Sequence, residues 1–218
     1  MTKSEVIEMI RAVGLLPVLR ADSPEQALAI AHALEAGGVT VLEVTMTVPG
    51  ALTVIERLIA EKGDSILVGA GTVLDPETAR AAMLAGAQFI VSPALNLATV
   101  EICRRYSVAV FPGALTPSEV LAAWQAGADA VKVFPASAMG GAKYLKALKA
   151  PFPQIDLIPT GGVSLANARE FLEAGALALG VGGELVDARA IETGHPETIT
   201  ENARKYLAIL GEFRSTVR

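Results

Sequence analysis

Apolar residues gather into eight short, β-rich runs along this chain: LLPVLR (15–20), VTVLEVTM (39–46), SILVGAGT (65–72), QFIVSP (88–93), VAVFPG (108–113), DAVKVFP (129–135), DLIPTGG (156–162) and ALALGVGG (176–183). A helical pattern follows each run. Ser23-Pro24-Glu25-Gln26 has the form of a helix start, with a capping serine and proline in the first turn. Asp75-Pro76-Glu77 and Thr116-Pro117-Ser118-Glu119 repeat it, and Ser164 and Asn167 open another. Glycines end the helices at Gly37-Gly38, Gly86, Gly127 and Gly175, where a left-handed cap suits them. Three of these ends are near copies: Leu84-Ala85-Gly86-Ala87, Gln125-Ala126-Gly127-Ala128 and Glu173-Ala174-Gly175-Ala176.

A repeated helix, glycine and nearly continuous apolar strand predicts parallel strands buried on both faces. Eight units without a long interruption predict an α/β fold of the (β/α)8 TIM-barrel class. An open doubly wound sheet could use the same units, but no G-x-G-x-x-G follows the first run. Residues 3–13 add an extra N-terminal helix with Val6, Met9 and Ile10 on one face. Residues 197–210 form the last helix, with Ile199, Tyr206, Leu207 and Leu210 as its apolar side. No linker interrupts the pattern, so one domain is expected over residues 1–218.

Composition narrows the function. With 52% hydrophobic and only 5% aromatic residues, the core must be built from Ala, Val, Leu and Ile. A net charge of −5 without a basic stripe argues against nucleic acid. No apolar stretch suits a membrane span and the first residues do not form a secretory signal, so a cytoplasmic protein is expected. The lone Cys103 excludes an intrachain disulfide and a cysteine metal cluster. His32, in an apolar helix, and His195, in a polar loop, have no metal-ligand company, so no metal site is expected. Trp124 and Cys103, both on helices, read as packing residues.

In such a barrel the chemistry lies at the C-terminal ends of the strands. The polar residues near those ends are Arg20, Glu43, Thr45, Thr72, Ser92, Lys132 and Thr160, and two are charges inside apolar runs. Strand alternation puts Lys132 and Phe134 on one face and Val131 and Val133 on the other. The valines can pack on helices, which turns Lys132 inward. Burial disfavours an ammonium, and a neutral amine is what attack on a ketone needs. Glu43, from the second run, lies opposite the sixth in an eight-stranded barrel, and a carboxylate there can ferry protons. A purely structural ion pair remains the alternative for both. Arg20 could grip a carboxylate or phosphate, or be a solvated strand end. Thr160-Gly161-Gly162 and Gly182-Gly183 form glycine loops after the seventh and eighth runs, where barrels commonly bind phosphate. Two tight turns would have the same composition.

These segments together resemble the 2-keto-3-deoxy-6-phosphogluconate (KDPG)/4-hydroxy-2-oxoglutarate (KHG) aldolase family. The resemblance rests on Pro17-Val18-Leu19-Arg20, Leu42-Glu43-Val44-Thr45, Gly69-Ala70-Gly71-Thr72-Val73, Phe89-Ile90-Val91-Ser92-Pro93, Lys132-Val133-Phe134-Pro135 and Pro159-Thr160-Gly161-Gly162-Val163, in order across nearly the whole chain. It implies a class I aldolase without cofactor or metal, usually a homotrimer, acting on pyruvate-like 2-keto acids and aldehydes. It implies Lys132 as the Schiff-base lysine, Glu43 as the acid/base and Thr72 as the contact to the pyruvate carboxylate. Pro93 and Phe134 become apolar walls, and Thr160, Gly161 and Gly162 a substrate loop. Some members carry an arginine where this chain has Thr47, and Arg20 is also a family feature. Some use a serine in the loop after the eighth run, where this chain has Gly183 followed by Glu184. A carboxylate there would repel phosphate if it pointed inward. Two other expectations fit the same residues: a phosphosugar isomerase or epimerase with Glu43 as base, and a non-catalytic oligomeric scaffold.

Overall fold

In the computed structural model, which describes residues 1–217, the apolar runs form parallel strands joined by helices. The strands are β1 (Leu15–Leu19), β2 (Val41–Thr45), β3 (Leu67–Gly71), β4 (Phe89–Val91), β5 (Ala109–Phe111), β6 (Gly113–Ala114), β7 (Val131–Val133), β8 (Leu157–Pro159) and β9 (Leu179–Val181). They pair as a six-stranded sheet, β5-β4-β3-β2-β1-β9, and a three-stranded sheet, β6-β7-β8. Isolated parallel bridges, Leu157↔Ala176 and Thr160↔Gly180, run from β8 and its end toward β9. The fifth run is not one strand. Pro112 has no N–H for a ladder, so the pairing breaks there. β5 joins β4, and β6 joins β7.

The helices are α1 (Lys3–Val13), α2 (Pro24–Ala36), α3 (Ala51–Lys62), α4 (Pro76–Leu84), α5 (Leu97–Arg105), α6 (Pro117–Ala126), α7 (Ala142–Lys149), α8 (Ala168–Glu173), α9 (Ala188–Glu192) and α10 (Glu197–Val217). Ser23, Asp75 and Thr116 cap α2, α4 and α6 by accepting from the backbone N–H three residues on. At α8 the side chain of Asn167 instead accepts from the N–H of Ser164 and donates to the carbonyl of Gly162, tying the loop after β8 to the helix start. α10 runs past Leu210 because Phe213 adds another side chain on the core and Arg214 donates to the carbonyl of Arg11.

Alternation sorts each strand into two cores. Leu42, Val44, Val68, Ala70, Val131 and Val133 pack against the helices. Leu16, Val41, Leu67, Phe89, Phe111 and Ile158 form an inner core, which Val6 and Ile10 of α1 join. Of the two residues expected to pack from helices, only one does. Cys103 is fully buried, whereas Trp124 is 42% exposed on the outer face of α6. Burial pushes the Cys103 thiol up to about 12, with the charge of Asp129 adding to it. Cys103 is therefore expected to resist alkylating reagents at about pH 8 until the protein is denatured, which a thiol titration with and without denaturant checks. Among the described residues no helix is long and apolar enough to cross a membrane.

Candidate active site

The charged residues within β2 and β7 meet on the inner face. Lys132 is 4% exposed and Glu43 fully buried, and Lys132 Nζ stands 3.5 Å from Glu43 Oε1. That is long for a charge-assisted hydrogen bond, for which roughly 2.7–2.9 Å is usual. The lysine is near its carboxylate without being clamped. Glu43 Oε2 has no hydrogen-bond partner among the described residues. A buried carboxylate oxygen without a donor is unfavourable, so this atom is ready to accept a proton or a substrate hydroxyl. Lys132 Nζ also lies 5.6 Å from the centre of the Phe134 ring.

The room for Glu43 comes from the neighbouring strand. β2 and β3 pair with Glu43 opposite Gly69 and Thr45 opposite Gly71. A Cβ on Gly71 would stand 2.0 Å from Glu43 Oε1, and one on Gly69 would stand 2.3 Å from the Phe89 ring. The two glycines of Gly69-Ala70-Gly71 thus seat a carboxylate and an aromatic ring side by side. Gly180 does the same for Thr160, whose Oγ1 would be 2.0 Å from an added Cβ. Thr45, fully buried, donates to the carbonyl of Leu19 and shares a 2.8 Å contact with the hydroxyl of Thr47.

Above Lys132 opens a cavity of about 210 Å³. Lys132, Thr72, Pro93 and Phe134 line it, with Val18. Thr160, Gly161, Gly162 and Val163, which follow β8, line it too, as do Arg20 after β1 and Gly182, Gly183 and Glu184 after β9. Of the polar residues singled out at the strand ends, Arg20, Thr72, Lys132 and Thr160 line this cavity, whereas Glu43, behind Lys132, and the buried Thr45 and Ser92 do not. Val18 and Val163 were not singled out, because apolar residues at strand ends look the same whether they line a cavity or fill a core. Thr72 has a positive φ of 56°. That is a strained setting for a β-branched residue, and it occurs where the chain turns off β3 into the cavity. Gly161 and Gly162 carry φ of 87° and 78°, conformations that only glycine adopts freely. Arg20 and Glu184 are both exposed to solvent at the rim.

No group of three or more His, Cys, Asp or Glu side chains among the described residues could hold a metal ion. His32 and His195 pair instead with Glu61 and Glu197 on the surface. The polar groups facing the cavity are an amine, hydroxyls, a guanidinium, a carboxylate and glycine backbone. Such a set suits a small anionic carbonyl compound.

Comparison with known proteins bears on the chain as a whole. A family model described as KDPG and KHG aldolase matches residues 6–202. A 2-dehydro-3-deoxy-phosphogluconate aldolase of Dickeya dadantii (strain 3937) is 38% identical, over 94% of this chain and 96% of that protein. A KHG/KDPG aldolase of Escherichia coli (strain K12) is 40% identical, over 91% and 93%. Among solved structures, a KDPG aldolase from Legionella pneumophila, with pyruvate captured at low pH as a covalent carbinolamine intermediate, superposes with a TM-score of 0.85 at 34% identity. The match covers 94% of this chain and 97% of that one. A cube-shaped protein cage, designed by fusing symmetric oligomeric domains, superposes with a TM-score of 0.86 at 32% identity over 94% of this chain and 74% of its own.

Proposed function

The chain belongs to the KDPG and KHG aldolase family, and from that premise we propose that Lys132 and Glu43 carry out a Schiff-base cleavage of 2-keto-3-deoxy-6-phosphogluconate to pyruvate and glyceraldehyde 3-phosphate. The protein is a class I aldolase, an aldehyde-lyase. Cleavage of 4-hydroxy-2-oxoglutarate to pyruvate and glyoxylate uses the same steps. The observation that carries the assignment of roles is the buried Lys132–Glu43 pair, 3.5 Å apart at the floor of the cavity.

Passage of a proton from Nζ to Glu43 leaves a neutral amine, which attacks C2 of the keto acid. Glu43 returns the proton to the departing hydroxyl, so the carbinolamine loses water and becomes an iminium ion. The positive nitrogen draws in the electrons of the C3–C4 bond as it breaks. Glu43 takes the C4 hydroxyl proton, directly or through one water, and the aldehyde leaves. The proton that Glu43 took up passes to C3 of the enamine, and water hydrolyses the resulting iminium ion to pyruvate and free Lys132. Thr72 donates to the substrate carboxylate, Pro93 and Phe134 flank its carbon chain, and Arg20 supplies a cation. Thr160, Gly161 and Gly162, with Gly182 and Gly183, face the far end.

The strain at Thr72 belongs to this scheme. A left-handed backbone costs a non-glycine residue about 1–2 kcal/mol, against roughly 0.5–1 kcal/mol for the extra freedom that glycine loses on folding. Thr72→Gly is therefore expected to raise unfolding stability slightly, as read by urea titration. Loss of a hydrogen bond to a charged group, about 1.5–3 kcal/mol, should at the same time lower kcat/KM by roughly tenfold to a hundredfold.

The wider architecture follows the same reading. One closed (β/α)8 barrel domain over residues 1–218 accounts for β5 and β6 being a single run broken at Pro112, and for the bridges from β8 toward β9. A homotrimer would cover exposed apolar side chains on neighbouring helices: Leu84 on α4, Tyr106 at the end of α5 and Trp124 on α6. Phosphorylated sugar acids do not cross membranes freely, which suits a cytoplasmic enzyme. An assay of pyruvate release from 2-keto-3-deoxy-6-phosphogluconate, coupled to lactate dehydrogenase, tests the function. Steady turnover is expected; no pyruvate from this compound or from 4-hydroxy-2-oxoglutarate would overturn it.

A further inference from the structure

We propose that Glu184 is a specificity-determining residue of this cavity, one that weakens its hold on a phosphate tail and admits 2-keto-3-deoxy sugar acids ending in a neutral hydroxyl chain. The proposal rests on the aldolase reading above. Pro17 of β1 and Val181 of β9 are partners in register. Arg20 and Glu184 each follow three residues later, so they leave adjacent strand ends at a similar level, and both line the cavity. Between Val181 and Glu184 stand only Gly182 and Gly183, with nothing near where a Cβ would be. No side chain in that stretch shields an anion at the glycine backbone from the Glu184 carboxylate.

Nor is Glu184 drawn away by a hydrogen-bond or ion-pair partner among the described residues. The nearest basic residue along the chain, Arg189 in α9, pairs with Asp187. Burial, and after it the nearby Glu184 charge, push the phenol of Tyr206 up to about 12, and its hydroxyl makes no hydrogen bond among the described residues.

Charge decides what the far end prefers. The charged residues lining the cavity are Arg20, Lys132 and Glu184, and Glu43 stands behind Lys132. Two cations face two carboxylates, so the site has no formal surplus of positive charge. A keto acid with a phosphate dianion brings a carboxylate and a doubly charged tail to it. The unphosphorylated compound brings the carboxylate alone. At the rim a phosphate gains from Arg20 and loses to Glu184, whereas a hydroxyl can donate to the carboxylate and accept from the guanidinium.

The test compares 2-keto-3-deoxy-6-phosphogluconate with 2-keto-3-deoxygluconate as substrates of the unaltered protein, Glu184→Gln and Glu184→Asp. Removing one negative charge near the tail should lower the ratio of the two KM values (phosphorylated over unphosphorylated) by about tenfold in Glu184→Gln. Glu184→Asp, which keeps the charge, should retain most of the discrimination, and added salt should narrow the gap between the unaltered protein and Glu184→Gln. Reduction of a pyruvate adduct with borohydride is run on all three proteins. A trapped adduct with an unchanged KM ratio in Glu184→Gln would overturn the role of Glu184 and leave the aldolase reading standing. Failure of the unaltered protein to trap pyruvate would overturn both.

Discussion

Lys132→Met is expected to lower kcat/KM for keto acid cleavage by on the order of 100,000-fold, in line with the loss of a covalent nucleophile elsewhere. That corresponds to about 7 kcal/mol of lost transition-state stabilisation. The loss is large because Lys132 is the one primary amine among the described residues lining the cavity, and no second amine there takes its place. Methionine matches the stem of lysine as far as Cε and fills that space without an amine. The substitution also has a structural consequence. It leaves the Glu43 carboxylate, fully buried, without the cation 3.5 Å away. Removing one partner of a buried pair costs about 3–5 kcal/mol, so Lys132→Met should unfold at lower urea concentration. Lys132→Met combined with Glu43→Gln should recover much of that stability and none of the activity. Recovery of stability without activity separates the chemical role from the structural one. Cleavage at the unaltered rate by folded Lys132→Met would contradict the scheme.

Glu43→Gln is expected to lower kcat by about a hundredfold to ten-thousandfold, the range for losing a positioned acid/base. The amide keeps the shape of the carboxylate in the seat over Gly71, but it cannot take the C4 hydroxyl proton. KM should change much less, because Glu43 lies behind Lys132 and does not line the cavity wall. Adduct formation with pyruvate should slow without vanishing, since Lys132 keeps its amine. A large KM effect with kcat intact would instead mark Glu43 as a binding group.

The inward turn of Lys132 and Glu43 was legible because alternation is a property of each strand alone. Val131 and Val133 pack on helices, and Lys132 between them has nowhere else to point. How closely the two charges approach was not legible, since it depends on two strands 89 residues apart. The glycines of Gly69-Ala70-Gly71 were visible as part of a motif, but not as seats. What a missing Cβ makes room for is decided by the neighbouring strand, here Glu43 and Phe89. The backbone of Thr72 gave no sign in the sequence, because a threonine after a glycine is compatible with ordinary extended chain. The fifth run looked continuous, yet its proline removes a ladder donor and divides the pairing. Trp124 misled because large apolar residues are not obliged to be inside. The apolar side of α10 reads in the sequence as far as Leu210, whereas Phe213 continues to pack beyond it. The sequence flagged Glu184 as an odd charge; only the structure sets it on the cavity wall.

The central claim is that the amine of Lys132 becomes bonded to C2 of a keto acid. Incubation with pyruvate and sodium borohydride, followed by digestion and mass spectrometry, tests it most directly. The predicted result is one reduced pyruvate adduct per chain, on the peptide bearing Lys132 and absent from Lys132→Met. No adduct on the unaltered protein, or an adduct on a different lysine, would contradict it.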